Sequence, residues 1–396
     1  MPAAVLLSLY WFLLLGGLGT FFPFFSLYLT QSAGLSGAQA GAVMAVLPLV
    51  GLLAQPGWGH VADRRGSRVR ALRLLSFGAA LGYVVLPFAR GFPAILAATA
   101  LLACFSSAVM PMAVAVTLTL LEHTGPHGFG RVRAWGTIGF LLTVAGLPMV
   151  ASHAAGGTDP TAALALVFPV AAAFTLAAAA VSLLLPLERV GLSRAEPGAW
   201  RLLLARGPFV RVLVCVLIAY LFLQGPIVFF PVYVHAIGGT VETVSRLWIL
   251  MLLLEIPLVA FSGAGFRRFG GRGLLAIGIA SGAFRWMVCG YATSPWLIYP
   301  VQLLHGVNVT GLIIGASLYV EAVVPERLRS TAQGALSMVG VSLGGICSSL
   351  AAGWLIEHVG ATAPARVGGI GALLLVLAIP ALIPRPEEMK RNTLAA

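Results

Sequence analysis

The chain has 396 residues, of which 59% are hydrophobic and 9% charged, and its mean hydropathy is +0.99. Water-soluble domains carry roughly a quarter charged residues, so this composition excludes a soluble enzyme, a nucleic-acid-binding domain and a disordered chain together. The formal charge of +12 is then a question of where the basic residues fall, because in a membrane chain they report orientation before they report a partner.

Apolar runs broken by glycine, proline and charge predict helices near residues 3–30, 39–62, 71–88, 93–122, 133–153, 160–187, 208–235, 242–264, 273–292, 296–323, 331–356 and 362–384. A bilayer core takes about 20 apolar residues per helix, so twelve spans of about 22 residues use about 264 and leave short loops with one longer linker. The fold class expected is an all-α integral membrane protein with twelve transmembrane helices. No basic residue precedes the first apolar run and no small-residue cleavage pattern follows it, so a retained helix is expected there rather than a signal peptide. The longest polar interruption divides the chain into residues 1–187, a linker at 188–207 and residues 208–396.

Alternate loops collect the basic residues. One set holds Arg64, Arg65, Arg68, Arg70 and Arg73, then Arg131 and Arg133, then five arginines from Arg189 to Arg211. It continues with Arg267, Arg268, Arg272, Arg327 and Arg329 and ends with Arg385, Lys390 and Arg391, which makes 20 of the 24 basic residues. The opposite loops hold Arg90, Arg246 and Arg366, and Arg285 falls inside a span. The positive-inside bias therefore predicts both termini in the cytoplasm and the cytoplasmic membrane as the location, and it removes the case for a nucleic-acid partner. Cys104, Cys215, Cys289 and Cys347 fall within spans without metal-ligand or redox spacing, so packing is expected of them and no metal.

The chain also repeats at about half its length. Arg64, Gly66 and Arg68 after the second helix recur 204 residues later as Arg268, Gly270 and Arg272 after the eighth. Arg131 and Arg133 before the fifth helix recur 196 residues later as Arg327 and Arg329 before the eleventh. Two six-helix halves follow.

The segment from Gly59 to Arg68, reading Gly-His-Val-Ala-Asp-Arg-Arg-Gly-Ser-Arg, resembles the loop signature between helices two and three of the major facilitator superfamily. Within it the chain is most similar to the 3-phenylpropionate permease group, related to lactose permease and the nucleoside:proton symporters. Three segments carry that likeness. They are Phe129 to Gly136, Glu255 followed by Phe266 to Arg268, and Phe284, Arg285 and Trp286 leading to Trp296, Gln302 and His305. The resemblance implies two pseudo-symmetric bundles rocking around a mid-membrane cavity by alternating access.

Gly59, Asp63, Arg64, Gly66 and Arg68 are expected to act as a conformational latch, with Asp63 accepting from a helix N-terminus or an arginine and the arginines bracketing it. The second copy has Arg267 where the first has Asp63, which argues against a symmetric latch.

A charge at mid-bilayer costs at least a few kcal/mol and usually marks function. Three such residues stand out, Glu255 on helix eight, Arg285 on helix nine and His305 on helix ten. Burial favours a neutral carboxyl and a nearby guanidinium favours a charged one, so a moving Glu255–Arg285 pair would take up and release a proton, with His305 as relay. Gln302, His305 and Asn308 recur every three residues and are expected on one cavity-lining face. In lactose permease the proton-carrying carboxylate lies one turn after the histidine. Here that position is Asn308, an amide that cannot titrate, so coupling is assigned to Glu255.

The first half has no mid-span acid, and the carboxylate partner that the resemblance implies for Arg133 is missing from Thr117 to Leu121, leaving Glu122 at the helix end. An arginine facing Tyr10, Trp11, Phe25 and Trp135 would suit a hydrophobic or aromatic carboxylate. Packing or lipid contact is the competing reading for each aromatic, and a cytoplasmic gate paired with Glu122 or Asp63 the competing reading for Arg133. The function expected is a monomeric secondary transporter of a small organic solute driven by protons, without a cofactor. A proton-driven exporter of lipophilic compounds is the alternative, because Gly136, Gly139, Gly146 and Pro148 loosely resemble an antiporter's glycine and proline run.

Overall fold

A computed structural model of the chain describes residues 3–64, 67–122, 127–154, 162–187, 198–260 and 262–384. Regular structure among them is helical throughout. The chain forms two compact units, Met1–Ser193 with Thr240–Arg246, and Arg194–Gly239 with Leu247–Ala396.

The first unit contains α1 (Ala3–Phe21), α2 (Gly37–Arg64), α3 (Arg68–Val85), α4 (Gly91–Leu120), α5 (His127–Ala154) and α6 (Ala162–Ser182). Pro23 separates α1 from a short helix, Phe25–Leu27, and a π turn, Tyr28–Ser32, so the expected 3–30 helix is interrupted there. Ser36 and Gln39 start α2 by a reciprocal cap: the Ser36 amide donates to Gln39 Oε1 at 3.1 Å and the Gln39 amide to Ser36 Oγ at 3.3 Å. Small residues let these helices approach closely, which lipid-embedded packing requires. A Cβ on Gly136 of α5 would stand 2.6 Å from Leu15 Cδ1, and one on Gly139 would strike the Phe12 carbonyl of α1. Two of the glycines that raised the antiporter alternative, Gly136 and Gly139, therefore have a packing role, while Gly146 has open space beside it.

The second unit contains a short helix Ala199–Leu204, then α7 (Gly207–Val228), α8 (Val241–Ala260), α9 (Ser262–Tyr291), α10 (Leu304–Val323), α11 (Glu326–His358) and α12 (Ala363–Leu382). The first turn of α8 groups with the first unit, where Ser245 donates to the Val144 carbonyl of α5 at 2.5 Å. Thr240 and Thr243 cap α8 as Ser36 and Gln39 cap α2, 204 residues earlier, so the internal repeat extends to the helix starts. Gly270 breaks the backbone of α9 with φ 65° and ψ 174°, a left-handed conformation that glycine adopts without strain. α10 and α11 each contain a π segment, Thr310–Ile314 and Met338–Gly344.

Eleven helices among the described residues are long and apolar enough to cross a membrane. α8 carries Glu242, Arg246 and Glu255, and at about 1.5 Å per residue its 20 residues span about 30 Å, the thickness of a bilayer core. α5 begins six residues before the predicted start, so Arg131 and Arg133 are helical rather than loop residues. Long basic side chains keep their heads in water while the helix continues, so charge marks the bilayer edge and not the helix end. Aliphatic side chains such as Leu53 and Leu377, 72% and 69% exposed, face outward, as a chain solvated by lipid requires.

Candidate functional site

The three mid-span ionisable residues converge in the second unit. Arg285 of α9 is 1% exposed, and its guanidinium is satisfied in a directional way. Nε donates to Gln302 Oε1 at 2.9 Å, Nη1 faces His305 Nδ1 at 3.1 Å, and Nη2 approaches Met251 Sδ at 3.4 Å. The aromatic faces of Trp286 and Phe230 lie 4.2 and 5.6 Å from Cζ, ring centroid to carbon. Buried cations in lipid are stabilised by such π faces and by an opposite charge.

The opposite charge arrives through His305. Its Nε2 lies 3.6 Å from Glu255 Oε2, with the histidine and glutamate side chains 12% and 26% exposed. A guanidinium only donates, so Nδ1 of a neutral imidazole is the acceptor and its proton sits on Nε2, aimed at Glu255. The expected Glu255–Arg285 pair is thus corrected to a three-membered chain in which the imidazole stands between cation and anion. At 3.6 Å the Nε2 contact is longer than a hydrogen bond, so a small helix movement makes or breaks it.

Gly306 explains the approach of α8. A Cβ there would lie 2.7 Å from the backbone nitrogen of Glu255, so only glycine, one residue after His305, lets the two helices meet at this level. Gly278 and Gly311 perform the same service between α9 and α10, where a Cβ on Gly278 would lie 2.5 Å from Gly311 Cα.

A cavity in this unit is lined by Tyr220 and Gln224 of α7, Arg285 and Trp286 of α9, and His305 and Asn308 of α10, among others. Gln302 meets Arg285 on the same side as His305 but is not among the residues that line the cavity. It is fully buried on a separate short helix, Tyr299–Gln302, where it accepts from Arg285 and donates to the Ile298 carbonyl at 3.1 Å. Its place beside Arg285 is that of a positioning residue: Leu303 keeps helical backbone angles, φ −59° and ψ −26°, so Gln302 and His305 stay one turn apart and both meet the guanidinium. Asn308 lines the cavity with its Nδ2 bonded to the Gly278 carbonyl at 2.9 Å.

The aromatic set expected around Arg133 is packed instead. Tyr10 and Trp11 are fully buried, Tyr10 sharing a hydrogen bond with Ser76 at 2.8 Å and Trp11 Nε1 donating to Thr117 at 2.9 Å. Phe25 stacks on Phe21 in the same unit's core. Trp135 points outward, 49% exposed. Arg133 does meet Trp11, with Cζ 4.8 Å from its ring centroid. The expectation of an open aromatic cavity fails because Tyr10, Trp11 and Phe25 fill the helix interfaces of their own unit and Trp135 faces outward.

Of the latch, Gly59 is in α2 with open space beside its Cα, and Arg68 donates to Thr119 Oγ1 at 3.2 Å, tying α3 to α4. The side chains of Asp63 and Arg64, and the whole of Arg65 and Gly66, lie outside the described residues. Sequence reasoning misses Tyr220 and Gln224. Two polar residues one turn apart in the apolar stretch that follows Arg211 are the available signal.

The family model described as the MFS_1 like family matches residues 4–364. The maltose permease of Geobacillus stearothermophilus is 32% identical over 362 residues, covering 88% of this chain and 87% of that one. The probable 3-phenylpropionic acid transporter of Escherichia coli K12 is 28% identical, with 93% of each chain covered. Among solved structures, the nucleoside transporter NupG superposes with a TM-score of 0.85 at 18% identity, covering 96% of this chain and 99% of that chain, a likeness of fold.

Proposed function

The chain belongs to the MFS_1 like family, as a multi-pass membrane transporter of small solutes, and on that premise we propose that it is a proton-coupled symporter working by alternating access. The observation that carries the coupling is the row Arg285, His305, Glu255. With Glu255 ionised, the buried guanidinium is balanced through the imidazole, and the chain is internally neutral. A proton arriving on Glu255 removes the negative charge that Nε2–H faces, so Arg285 loses its counter-charge. Arg285 and His305 also line the cavity, so the proton on Glu255 alters the groups that a solute meets. Release of the proton on the other side restores the neutral row. The cytoplasmic membrane, inward transport and cytoplasmic termini belong to the same reading.

The relative named maltose permease supports a sugar as solute. A hydrophobic carboxylate is the second reading, supported by the relative named for 3-phenylpropionic acid and by Arg285 at the cavity wall.

The test is solute uptake and internal pH in liposomes holding the purified protein. Solute-dependent internal acidification is expected, and Glu255→Gln is expected to abolish accumulation while solute exchange persists. Solute movement without any pH change, or a Glu255→Gln variant that accumulates like the parent, rejects proton coupling through α8.

A further inference from the structure

The cavity of the second unit has a wall that the charge row does not use. Tyr220 and Gln224 lie one turn apart on α7, which places them on one helix face, and Asn308 of α10 lines the same space. Among the described residues, the Tyr220 hydroxyl and the Gln224 amide have no hydrogen-bond partner, and the only bond of the Asn308 side chain is the one from Nδ2 to the Gly278 carbonyl. Unused hydrogen-bonding groups that converge on one cavity mark a recognition surface.

Tyr220 and Asn308 are also held in place. The Tyr220 ring lies against the π segment of α11, where a Cβ on Gly340 would be 3.0 Å from the ring and one on Gly344 2.6 Å from Tyr220 Cβ. The Gly278 carbonyl accepts from Asn308 Nδ2 and so fixes which way that amide faces, leaving Oδ1 as an acceptor. Gly282 provides room for Asn308, since a Cβ there would lie 2.6 Å from its Nδ2.

We infer that Tyr220, Gln224 and Asn308 form a neutral hydrogen-bonding face that selects an uncharged, hydroxyl-bearing solute of the sugar class. The inference rests on the reading of this cavity as the solute site. The chemistry decides the class. A phenol and two carboxamides offer donors and acceptors together, which matches hydroxyl groups, themselves donors and acceptors. A carboxylate only accepts, and the fixed Asn308 Oδ1 would face it with a lone pair. Arg285, the cation that lines the cavity and would favour an anion, directs three of its five N–H donors at Gln302, His305 and Met251, which leaves two for a solute. A site built to bond hydroxyls discriminates strongly against solutes that leave its polar groups unpaired.

The experiment is equilibrium binding to the purified full-length protein without any gradient, using maltose, sucrose, xylose and 3-phenylpropionate as probes. At least one sugar is expected to bind while 3-phenylpropionate does not at the same concentration. Gln224→Leu and Tyr220→Phe are each expected to weaken that sugar at least tenfold, with thermal unfolding unchanged. Binding of 3-phenylpropionate but of no sugar overturns the proposal, as does absence of sugar binding or unchanged sugar affinity in both variants. Because no gradient is present, binding that behaves as expected alongside failed proton uptake in liposomes counts against the coupling and leaves the selecting face intact.

Discussion

A guanidinium has five N–H donors in a planar fork and no acceptor, and at Arg285 that geometry organises everything around it. Gln302 and His305 are bonded by different nitrogens of the fork, and the imidazole is thereby left with its proton toward Glu255. A lysine would place one compact ammonium there and could not reach both partners in these directions. Arg285→Lys is therefore expected to lower the solute uptake rate at least tenfold although the charge is kept, and uptake near the parent rate would show that charge alone suffices. Glu255, Arg285 and His305 are legible in the sequence because an ionisable residue in an apolar span must be explained. The order in which they touch is not, since spacing along three different helices says nothing about which side chain stands between the others. Gln302 shares the Arg285 side with His305, as the three-residue spacing predicts, but the spacing does not say that Gln302 is buried against Arg285 while His305 and Asn308 line the cavity.

At the scale of helices, glycine decides where the elements cross. Gly306 admits the backbone of α8 beside His305, so Gly306→Val is expected to cost about 1–3 kcal/mol by overpacking and to part Glu255 from His305. Lower thermal stability together with lost proton coupling would be measured. Gly334, in the Arg329–Ser337 helix, has open space where an alanine methyl would stand, and Gly334→Ala should be neutral or stabilising by up to about 1 kcal/mol. Equal losses in both variants would mean that the effect is not specific to the α8–α10 crossing. Helix ends follow the same local chemistry in both halves. Arg73 of α3 donates to the Ser182, Leu183 and Leu185 carbonyls at the end of α6, and Arg272 of α9 donates to the Pro380 carbonyl near the end of α12. Sequence places these arginines at the edge of the bilayer, while their use as caps depends on helices more than a hundred residues away.

For the molecule as a whole, composition and charge asymmetry carry the argument. With 20 of 24 basic residues in one set of loops and adjoining helix ends, reporter fusions at either terminus are expected to register a cytoplasmic location. A periplasmic signal from both would invert the topology and with it the direction assigned to transport. Cysteine labelling offers an independent view of packing. Cys347 is exposed and Cys215 and Cys289 are buried, so a maleimide should modify Cys347 well ahead of those two in the native protein and reach all of them after unfolding. Comparable native rates at Cys215 would contradict the packing of α7.

The all-helical membrane fold, the two repeated halves and the three charged residues were determined by the sequence alone, because lipid forbids unpaired backbone and unexplained charge. Tertiary structure alone decided that Tyr10, Trp11 and Phe25 fill interfaces rather than a cavity, and that Tyr220, Gln224 and Asn308 share one. Burial of a residue in a membrane helix depends on which neighbour covers it. Where every face of a helix is apolar, the pattern of hydrophobicity cannot say which face meets lipid and which meets another helix.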